Sequence, residues 1–377
     1  MRSKYLILSV MAILAFALAA CGGGATDGEP QVVEVTREVE VTRVVEMEGE
    51  APPPAEPSGY GEILQRVRDR GRLVCGGRTD LLGFGYLDDN GNNIGFDIDI
   101  CRAVAAAVLG DADAVEVVPL TAAERGPALQ TGEVDLLSRN VTWTSSRDAQ
   151  WGNFTVVMFY DGQTFMTRVD SGIEGPEDFD GATVCVTSGT TTEANLNQYF
   201  SDNGWEYEAV IFEETAAVYG AYESGRCDLT TSDQSQLFSV RSGFENPDDH
   251  KIFDFFISKE PLTPAVPHGD DSWFDIVKIV MFSLINAEEL GVTQANVGSM
   301  GDNSDGRIRT LVGTGDDWGY GQWGLDADAL ARAIAAVGNY GELYARYFGE
   351  NGMAFFMERG LNENYANGGA IYAPPIK

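Results

Sequence analysis

The sequence predicts an α/β fold with two lobes around a cleft. From Tyr60 onward, segments with helical periodicity alternate with short apolar runs typical of buried strands, an order that implies largely parallel sheets covered by helices. The alternation is interrupted by the extended stretch NFTVVMFYDGQTFMTR (153–168) and then begins again. A second extended stretch, KIFDFFISKEPLTPAV (251–266), leads the chain back. Two α/β units in tandem, joined by extended segments, predict two lobes.

Individual elements follow from local signals. The stretch EILQRVRDRG is predicted to be a helix that ends at Gly71, and FDIDICRAVAAAVLG a helix that ends at Gly110. Between them, YLDDNGNNIGF carries the Asn-Gly signal of a β-hairpin. The stretch DSWFDIVKIVMFSLINAEELG is predicted to be a long helix. The C-terminal portion that follows it, up to and including DADALARAIAAVGNYGELYARYF, is predicted to be mostly helical.

The first twenty residues have the features of an export signal. Arg2 and Lys4 precede an apolar run that is short for a membrane-spanning helix and ends in small residues. The junction LAAC, Leu18–Cys21, resembles the lipobox of bacterial lipoproteins. We therefore expect residues 1–20 to be a lipoprotein signal peptide, removed before Cys21, whose thiol then carries lipid. The alternative is an anchor helix that is not cleaved.

The next segment, residues 21–59, has the composition of a tether. Its Gly-rich and Pro-rich ends cannot build a core, and VEVTR occurs twice between them. We expect an exported protein that is lipid-anchored to the outer face of the cytoplasmic membrane, on its periplasmic or extracellular side. The net charge of −33 argues against nucleic acid as a partner, because phosphate binding requires a basic surface.

The cysteines agree with export. If Cys21 is lipidated, four remain, and four cysteines allow three pairings. Pairing Cys75 with Cys101 and Cys185 with Cys227 would close one disulfide in each half of the body, in a compartment where disulfides persist. A CxxC pair is absent from the sequence, and its two histidines lie apart. We therefore predict no metal site and no cofactor.

Three polar clusters follow predicted strands, where ligands of open α/β sheets collect. The first runs from Arg139 and Asn140 through Thr142 to Arg147. The guanidinium of Arg147 offers a planar fork of donors that fits a carboxylate. The alternative is that Arg147 only pairs with a local acid such as Asp148.

The second cluster is SGTTTEANL, Ser188–Leu196. A strand-to-helix turn of this kind presents free backbone N–H groups and the positive end of a helix dipole to an anion. The alternative is simple helix capping, since Thr190 and Glu193 have the spacing of a capping box.

The third cluster, DLTTSDQSQ, places Asp233 between a strand and a helix, where its carboxylate can face the cleft or cap the helix. Taken together, the clusters supply a fork for a carboxylate, helix-end N–H groups and an acid for an ammonium group. This set fits an α-amino acid, which is negative at one end and positive at the other.

Motifs along the body resemble one known family. They include GFDIDICRAVAAAVLGD, RNVTWTSSRD, GTTTEANL, TTSDQS, SKEPLTPAV, GDDSWFDIVK, INAEELGVT, VGNYGE and YAPPIK. From Glu62 to Lys377 the chain resembles the solute-binding proteins of polar or general L-amino acid ABC transporters, the family 3 extracellular solute-binding proteins. The resemblance implies a type II periplasmic-binding-protein fold, in which two hinge strands join the lobes. Lobe 1 would comprise residues 60–162 and 263–377, and lobe 2 residues 163–262.

The resemblance also implies roles for individual residues. Arg147 would clamp the α-carboxylate of the ligand, and Asp233 would hold its α-ammonium group. Further donors would come from both lobes, namely Asn140, Thr142, Gly189, Thr191 and Thr192. Related proteins often cover the ligand with an aromatic ring from lobe 1. Here that position is predicted to be Leu81, with Phe84 three residues on, so that either the cover is aliphatic or Phe84 and Tyr86 supply it.

The family comparison implies a receptor and not an enzyme. The protein, as a monomer, would close on one free L-amino acid and deliver it to the permease subunits of an ABC importer. A dehydratase on the same scaffold is the main alternative, but it needs an acid or base aimed at a reacting carbon. The candidates for such a group in the clusters are Asp233 and Glu193, and both have other assignments. A membrane sensor is a further alternative, and the sequence lacks the second transmembrane helix it would need.

Overall fold

The computed structural model describes residues 61–377. The signal peptide predicted at residues 1–20, the lipid site at Cys21 and the tether at 21–59 lie outside this part of the chain. Within it, none of the helices has both the length and the apolar character needed to cross a membrane.

The first α/β unit begins with an amphipathic helix whose residues Ile63, Leu64 and Val67 are buried. Gly71, at φ 72°, ends it, as the sequence predicts. The predicted Asn-Gly hairpin is also present, with Tyr86 opposite Ile94. The elements of this unit are α1 (Glu62–Arg70), β1 (Leu73–Gly77), β2 (Asp80–Leu81), β3 (Gly85–Leu87), β4 (Asn93–Ile94), α2 (Phe96–Leu109), β5 (Val115–Pro119), α3 (Arg125–Thr131), β6 (Leu136–Leu137), α4 (Ser145–Gln150), β7 (Asn153–Phe154) and β8 (Phe159–Asp161).

The second unit repeats the alternation of strands and helices. Its elements are β9 (Gln163–Arg168), β10 (Thr183–Thr187), α5 (Thr191–Asn203), β11 (Glu208–Phe212), α6 (Thr215–Glu223), β12 (Leu229–Asp233), α7 (Gln234–Ser242) and β13 (His250–Ile252). The chain then leaves this unit through β14 (Glu260–Leu262) and returns to the first sheet as β15 (Ala265–Val266).

The C-terminal part contains four α-helices, and much of the remaining chain there is irregular, so the prediction of a mostly helical region was too broad. The stretch DADALARAIAAVGNYGELYARYF forms two helices. Gly338 takes φ 83°, and the side chain of Asn339 caps the next helix by accepting the N–H of Glu342. The helices are α8 (Asp271–Glu289), α9 (Gly306–Leu311), α10 (Ala329–Val337) and α11 (Tyr340–Phe348).

Two five-stranded sheets define two lobes. The lobe 1 sheet has the order β5-β1-β6-β15-β7, in which β1 is parallel to β5 and β6, and β15 runs antiparallel to its neighbours. The lobe 2 sheet has the order β11-β10-β12-β9-β13, in which β10 is parallel to β11 and β12, and β9 runs antiparallel to its neighbours. Each lobe is therefore a small α/β unit, as the sequence predicts.

A two-stranded antiparallel ribbon, formed by β8 and β14, lies between the sheets in the chain order. In the register of this ribbon, Asp161 on β8 lies opposite Glu260 on β14. The predicted lobe boundary at 162/163 falls between β8 and β9, and the boundary at 262/263 falls between β14 and β15. The chain thus passes between the lobes through this ribbon.

Both disulfides close within a lobe. Cys75 on β1 is bonded to Cys101 on α2, and Cys185 on β10 is bonded to Cys227, which lies just before β12. Of the three possible pairings of these four cysteines, the structure has the one in which each bond joins two cysteines of the same lobe.

Candidate functional site

A cleft lies where the two lobes meet. Its lining is almost entirely polar. The lining residues are Arg78, Ala122, Arg125, Arg139, Asn140 and Thr142 from lobe 1, with Thr187, Thr190, Thr191, Thr192, Thr215, Thr231, Ser232, Asp233 and Gln236 from lobe 2.

The loop after β6 brings Asn140 and Thr142 to the cleft, as predicted. Asn140 has φ 35° and is the only non-glycine residue of the described chain in the left-handed region. Strained backbone of this kind persists only where the surroundings hold it. Here the N–H of Asn140 donates to Oδ2 of the buried Asp97, at 2.7 Å.

Glu260, which the sequence analysis did not single out, connects the two lobes. Its carboxylate is 1% exposed and accepts the hydroxyl of Thr142 from lobe 1 at 2.5 Å and that of Thr191 from lobe 2 at 3.0 Å. Ser258 and Asn195 donate to its other oxygen. Two hydroxyls that the sequence assigns to the ligand are therefore bonded to a carboxylate of the ribbon.

Arg147 lies in the first turn of α4, and it is not among the residues that line the cleft. Its Nη1 donates to the carbonyl oxygen of Thr142 at 3.0 Å, and its guanidinium stacks 4.7 Å from the ring centroid of Trp151. Within residues 61–377 this is the only hydrogen bond of the guanidinium, and no ion pair joins it to Asp148. Burial lowers the pKa of Arg147, while the charges of Glu260 and Asp233 oppose that shift. The guanidinium is therefore held in place, and its remaining N–H groups are available to a ligand.

Asp233 ends β12 and lines the cleft from lobe 2, where it is 6% exposed. It precedes α7 but makes no side-chain cap there, so capping does not account for its position. Burial raises the pKa of Asp233 well above its ordinary value, and the neighbouring Asp161 and Glu260 raise it further. A cation that enters the cleft would relieve this unfavourable environment.

The turn before α5 serves partly as a cap. The hydroxyl of Thr190 accepts the N–H of Glu193 at 3.1 Å, and the Glu193 carboxylate accepts the N–H of Gly189 at 2.9 Å. Gly189 does not line the cleft, and its predicted donor is already used. Thr191 and Thr192 do line the cleft, as predicted.

The prediction that Leu81 and Phe84 contact the ligand disagrees with their position. Both are 1% exposed and belong to the lobe 1 core, outside the cleft lining. The ring of Phe84 packs against Phe159 and Phe348, with ring centroids 5.2 Å and 5.0 Å away. The difference arises because both apolar side chains are buried in this core, where they are removed from water, and not in the cleft.

Three arginines of the lining were missed or left without a role by the sequence analysis. Arg78 follows β1, Arg139 follows β6, and Arg125 begins α3. The sequence could have indicated these arginines, because each lies at or near the carboxyl end of a strand or at the start of a helix. Arg139 was noted in the first cluster, but no function was assigned to it.

Asp97, which supports Asn140, makes the folded state sensitive to pH. Burial raises its pKa to about 7, from an ordinary value of 3.8. A carboxyl group whose pKa is raised by folding contributes full stability below its unfolded pKa, and this contribution is lost as the pH rises to the folded pKa. The loss therefore falls between about pH 4 and pH 7.

We expect Asp97→Asn to stabilise the protein at high pH. The amide oxygen still accepts the Asn140 N–H, and no charge is buried. Urea unfolding should give a gain in free energy of unfolding that is about 2 kcal/mol larger at pH 8 than at pH 5. The exposed Asp180 provides the control Asp180→Asn, whose effect should not depend on pH in this way. An equal effect of Asp97→Asn at both pH values would contradict the role of Asp97.

Comparison with known proteins gives consistent matches. A profile of the bacterial extracellular solute-binding proteins, family 3, matches residues 73–298. The general L-amino acid-binding periplasmic protein of Rhizobium johnstonii is 48% identical over 316 residues, which cover 83% of this chain and 92% of that protein. The glutamate/glutamine/aspartate/asparagine-binding protein of Rhodobacter capsulatus is 44% identical, covering 83% and 93%.

A solved structure agrees with these matches. The periplasmic binding protein of an ABC transporter from Brucella ovis, with glutathione bound, superposes with a TM-score of 0.80 and 45% sequence identity. The alignment covers 83% of this chain and 99% of that one.

Proposed function

We propose, on the premise that this chain belongs to family 3 of the bacterial extracellular solute-binding proteins, that it binds a free L-amino acid and delivers it to the permease of an ABC importer. The family consists of receptors and not enzymes. The proposal adds to that general assignment a ligand class, a binding mode and a lipid anchor.

One observation carries the proposal. Arg147 on lobe 1 keeps donors of its fork free of protein partners within residues 61–377, and Asp233 on lobe 2 is a buried carboxylate without a cap contact. The two are close enough that the charge of each shifts the pKa of the other. A zwitterion that places its carboxylate on Arg147 and its ammonium on Asp233 satisfies both. Asn140, Thr142, Thr191 and Thr192 would supply further hydrogen bonds.

Closure of the lobes would complete the site. Lobe 1 already contacts lobe 2 through Arg78, whose Nη1 donates to Gln236 and whose Nη2 donates to Thr215, both at 3.2 Å. The ribbon of β8 and β14 would act as the hinge. The liganded, closed form would be the one that the permease reads, since a ligand favours the state it binds more tightly.

The proposal extends to location and assembly. Lipid on Cys21 would anchor the protein to the outer face of the cytoplasmic membrane, with residues 21–59 as a tether and the body as a monomer. The support is the lipobox-like LAAC junction and the tether composition.

Binding to ligand tests the proposal. The full-length protein, purified in detergent, is unfolded in guanidinium to remove carried-over ligand, refolded, and titrated calorimetrically with each of the twenty amino acids and with glutathione. Saturable one-to-one binding of one or more amino acids is expected, with a matching rise in Tm. The absence of both binding heat and a Tm shift with all twenty amino acids would contradict the proposal. Binding of glutathione alone would change the proposed ligand to a peptide. The intact mass of the same sample tests cleavage and lipidation at Cys21.

A further inference from the structure

The hydrogen bonds of the second ribbon strand, β14, place Glu260 where the chain changes lobes. Before it, the N–H of Ile257 donates to the carbonyl oxygen of Gln163 on β9 of lobe 2, at 2.9 Å. After it, the carbonyl oxygen of Pro261 accepts the N–H of Trp143 from lobe 1, also at 2.9 Å. Glu260 therefore lies between backbone that is bonded to lobe 2 and backbone that is bonded to lobe 1.

The first ribbon strand, β8, changes lobes at the matching position. The N–H and the carbonyl oxygen of Tyr160 are both bonded to the side chain of Asn362 from lobe 1. Two residues later, the carbonyl oxygen of Gly162 accepts an N–H from the start of α7 in lobe 2, at 2.9 Å. Asp161 lies between these two, opposite Glu260. A rotation of one lobe against the other would therefore pivot at this pair of residues.

The side chain of Glu260 bonds to both lobes across this pivot. Its Oε2 accepts the hydroxyl of Thr142 from lobe 1 and that of Thr191 from lobe 2. Its Oε1 accepts the hydroxyl of Ser258 at 2.5 Å and Nδ2 of Asn195, on α5 of lobe 2, at 2.8 Å. These donors fill the acceptor positions of the carboxylate. Separation of the lobes would remove donors from a buried charge, which is costly.

Glu260 acts on the cleft through other residues. It is not among the residues that line the cleft. Thr142 and Thr191 do line it, and their hydroxyl oxygens are held 3.4 Å apart beside the Glu260 carboxylate. The carbonyl oxygen of Thr142 in turn accepts Nη1 of Arg147. One buried carboxylate thus holds together groups from both walls of the site.

Asp161 provides a comparison on the same ribbon. Burial raises the pKa of Asp233, and the charges of Asp161 and Glu260 raise it further, so both carboxylates act electrostatically on the cleft. The carboxylate of Asp161, however, accepts the N–H of its neighbour Gly162 and that of Ser235 in lobe 2. Replacing Asp161 would remove a charge from this region and leave the bonds between Glu260 and the two lobes in place.

We propose that Glu260 is a positioning residue that holds the lobes closed around the ligand and thereby sets the lifetime of the liganded state. This inference rests on the proposed function and adds to it the group that opposes release. The effect should be of the same size for every amino acid that binds, because Glu260 lies outside the cleft lining. It should appear in the dissociation rate, because the bonds to Thr142 and Thr191 must break before the lobes separate.

Release of labelled ligand tests this role. Refolded full-length wild type and Glu260→Gln are loaded with an equimolar mixture of the twenty radiolabelled L-amino acids and then diluted into the unlabelled mixture. Glutamine keeps the shape of the side chain but replaces one acceptor oxygen with an N–H donor. We expect Glu260→Gln to release label about tenfold to a hundredfold faster, and Kd to rise by the same factor. The association rate should change by less than about threefold.

Three further variants complete the experiment. Asn195→Ala removes a donor to Glu260 without changing the cleft lining, so it should also accelerate release, and it replaces Glu260→Gln if that variant does not fold. Asp161→Asn should accelerate release by less than about threefold. Asp228→Asn changes a carboxylate that accepts the N–H and hydroxyl of Thr183 within lobe 2, and it should keep the wild-type release rate.

The outcomes separate this inference from the proposed function. A higher Kd that comes from slower association overturns the role of Glu260, and so does a lower Tm with a wild-type release rate. Equal acceleration in Asp161→Asn and Glu260→Gln also overturns it, because the effect would then come from charge and not from bonds between the lobes. In all three cases wild type still binds amino acids, so the proposed function stands. Wild type that binds no amino acid overturns the proposed function, and this inference with it.

Discussion

Arg147→Ala is expected to raise the Kd for the amino acid ligand by one to several orders of magnitude. Truncating one partner of a buried charge pair costs about 2–5 kcal/mol, because the ligand carboxylate would lie desolvated without its fork of donors. The loss should be of the same size for every amino acid ligand, since all share the α-carboxylate. Calorimetric titration of the refolded protein measures it.

A matched control separates binding from stability. Arg226 is exposed on lobe 2 and, like Arg147, has its guanidinium over an aromatic ring, 5.4 Å from the centroid of Phe212. Arg226→Ala should leave Kd unchanged. If Arg147→Ala keeps the wild-type Tm and also the wild-type Kd, Arg147 is not the carboxylate clamp.

Asp233→Asn is expected to have two opposite effects. The affinity for amino acids should fall by about two orders of magnitude or more, because a neutral amide cannot balance a buried ammonium group. The ligand-free protein should become more stable at neutral pH. The raised pKa of Asp233 means that its ionised form costs folding free energy above the unfolded pKa, and the amide carries no such cost.

Titration and urea unfolding at pH 7 measure the two effects on the same samples. The exposed Asp202, also on lobe 2, gives the control Asp202→Asn, which should change neither quantity. Acidification provides an independent readout, since protonation of Asp233 should weaken binding in wild type and not in Asp233→Asn. Loss of affinity together with loss of stability would point to a structural role instead.

The sequence predicted what depends on local signals. A glycine at the end of a helix and an Asn-Gly turn can each be recognised from a few consecutive residues. The helix α1 and the β3–β4 hairpin were therefore predicted correctly. Thr142 and Asp233 were placed at the cleft because each lies at or shortly after the end of a recognisable strand. The motifs that resemble the family then suggested how they act together.

What the sequence did not predict depends on contacts between distant segments. Glu260 lies in a stretch that reads only as extended chain, and its importance comes from hydroxyls that are 118 and 69 residues away. The charge of Arg125 stands out only once its Nη2 is seen to lack a partner within the described residues. Leu81 and Phe84 were assigned by counting along the chain, which carries no information about the distant rings of Phe159 and Phe348 that pack against Phe84.

The disulfide connectivity has a consequence for how the protein matures after export. Cys75 pairs with Cys101 and Cys185 with Cys227, so each cysteine of the body is joined to its immediate neighbour in the order of translocation. In the proposed extracytoplasmic location, an oxidant that joins cysteines in the order in which they emerge would reach the native pairing directly. Acylation of Cys21 would remove the one thiol that emerges earlier. Under vectorial export, oxidative maturation would then need no disulfide isomerase to correct it.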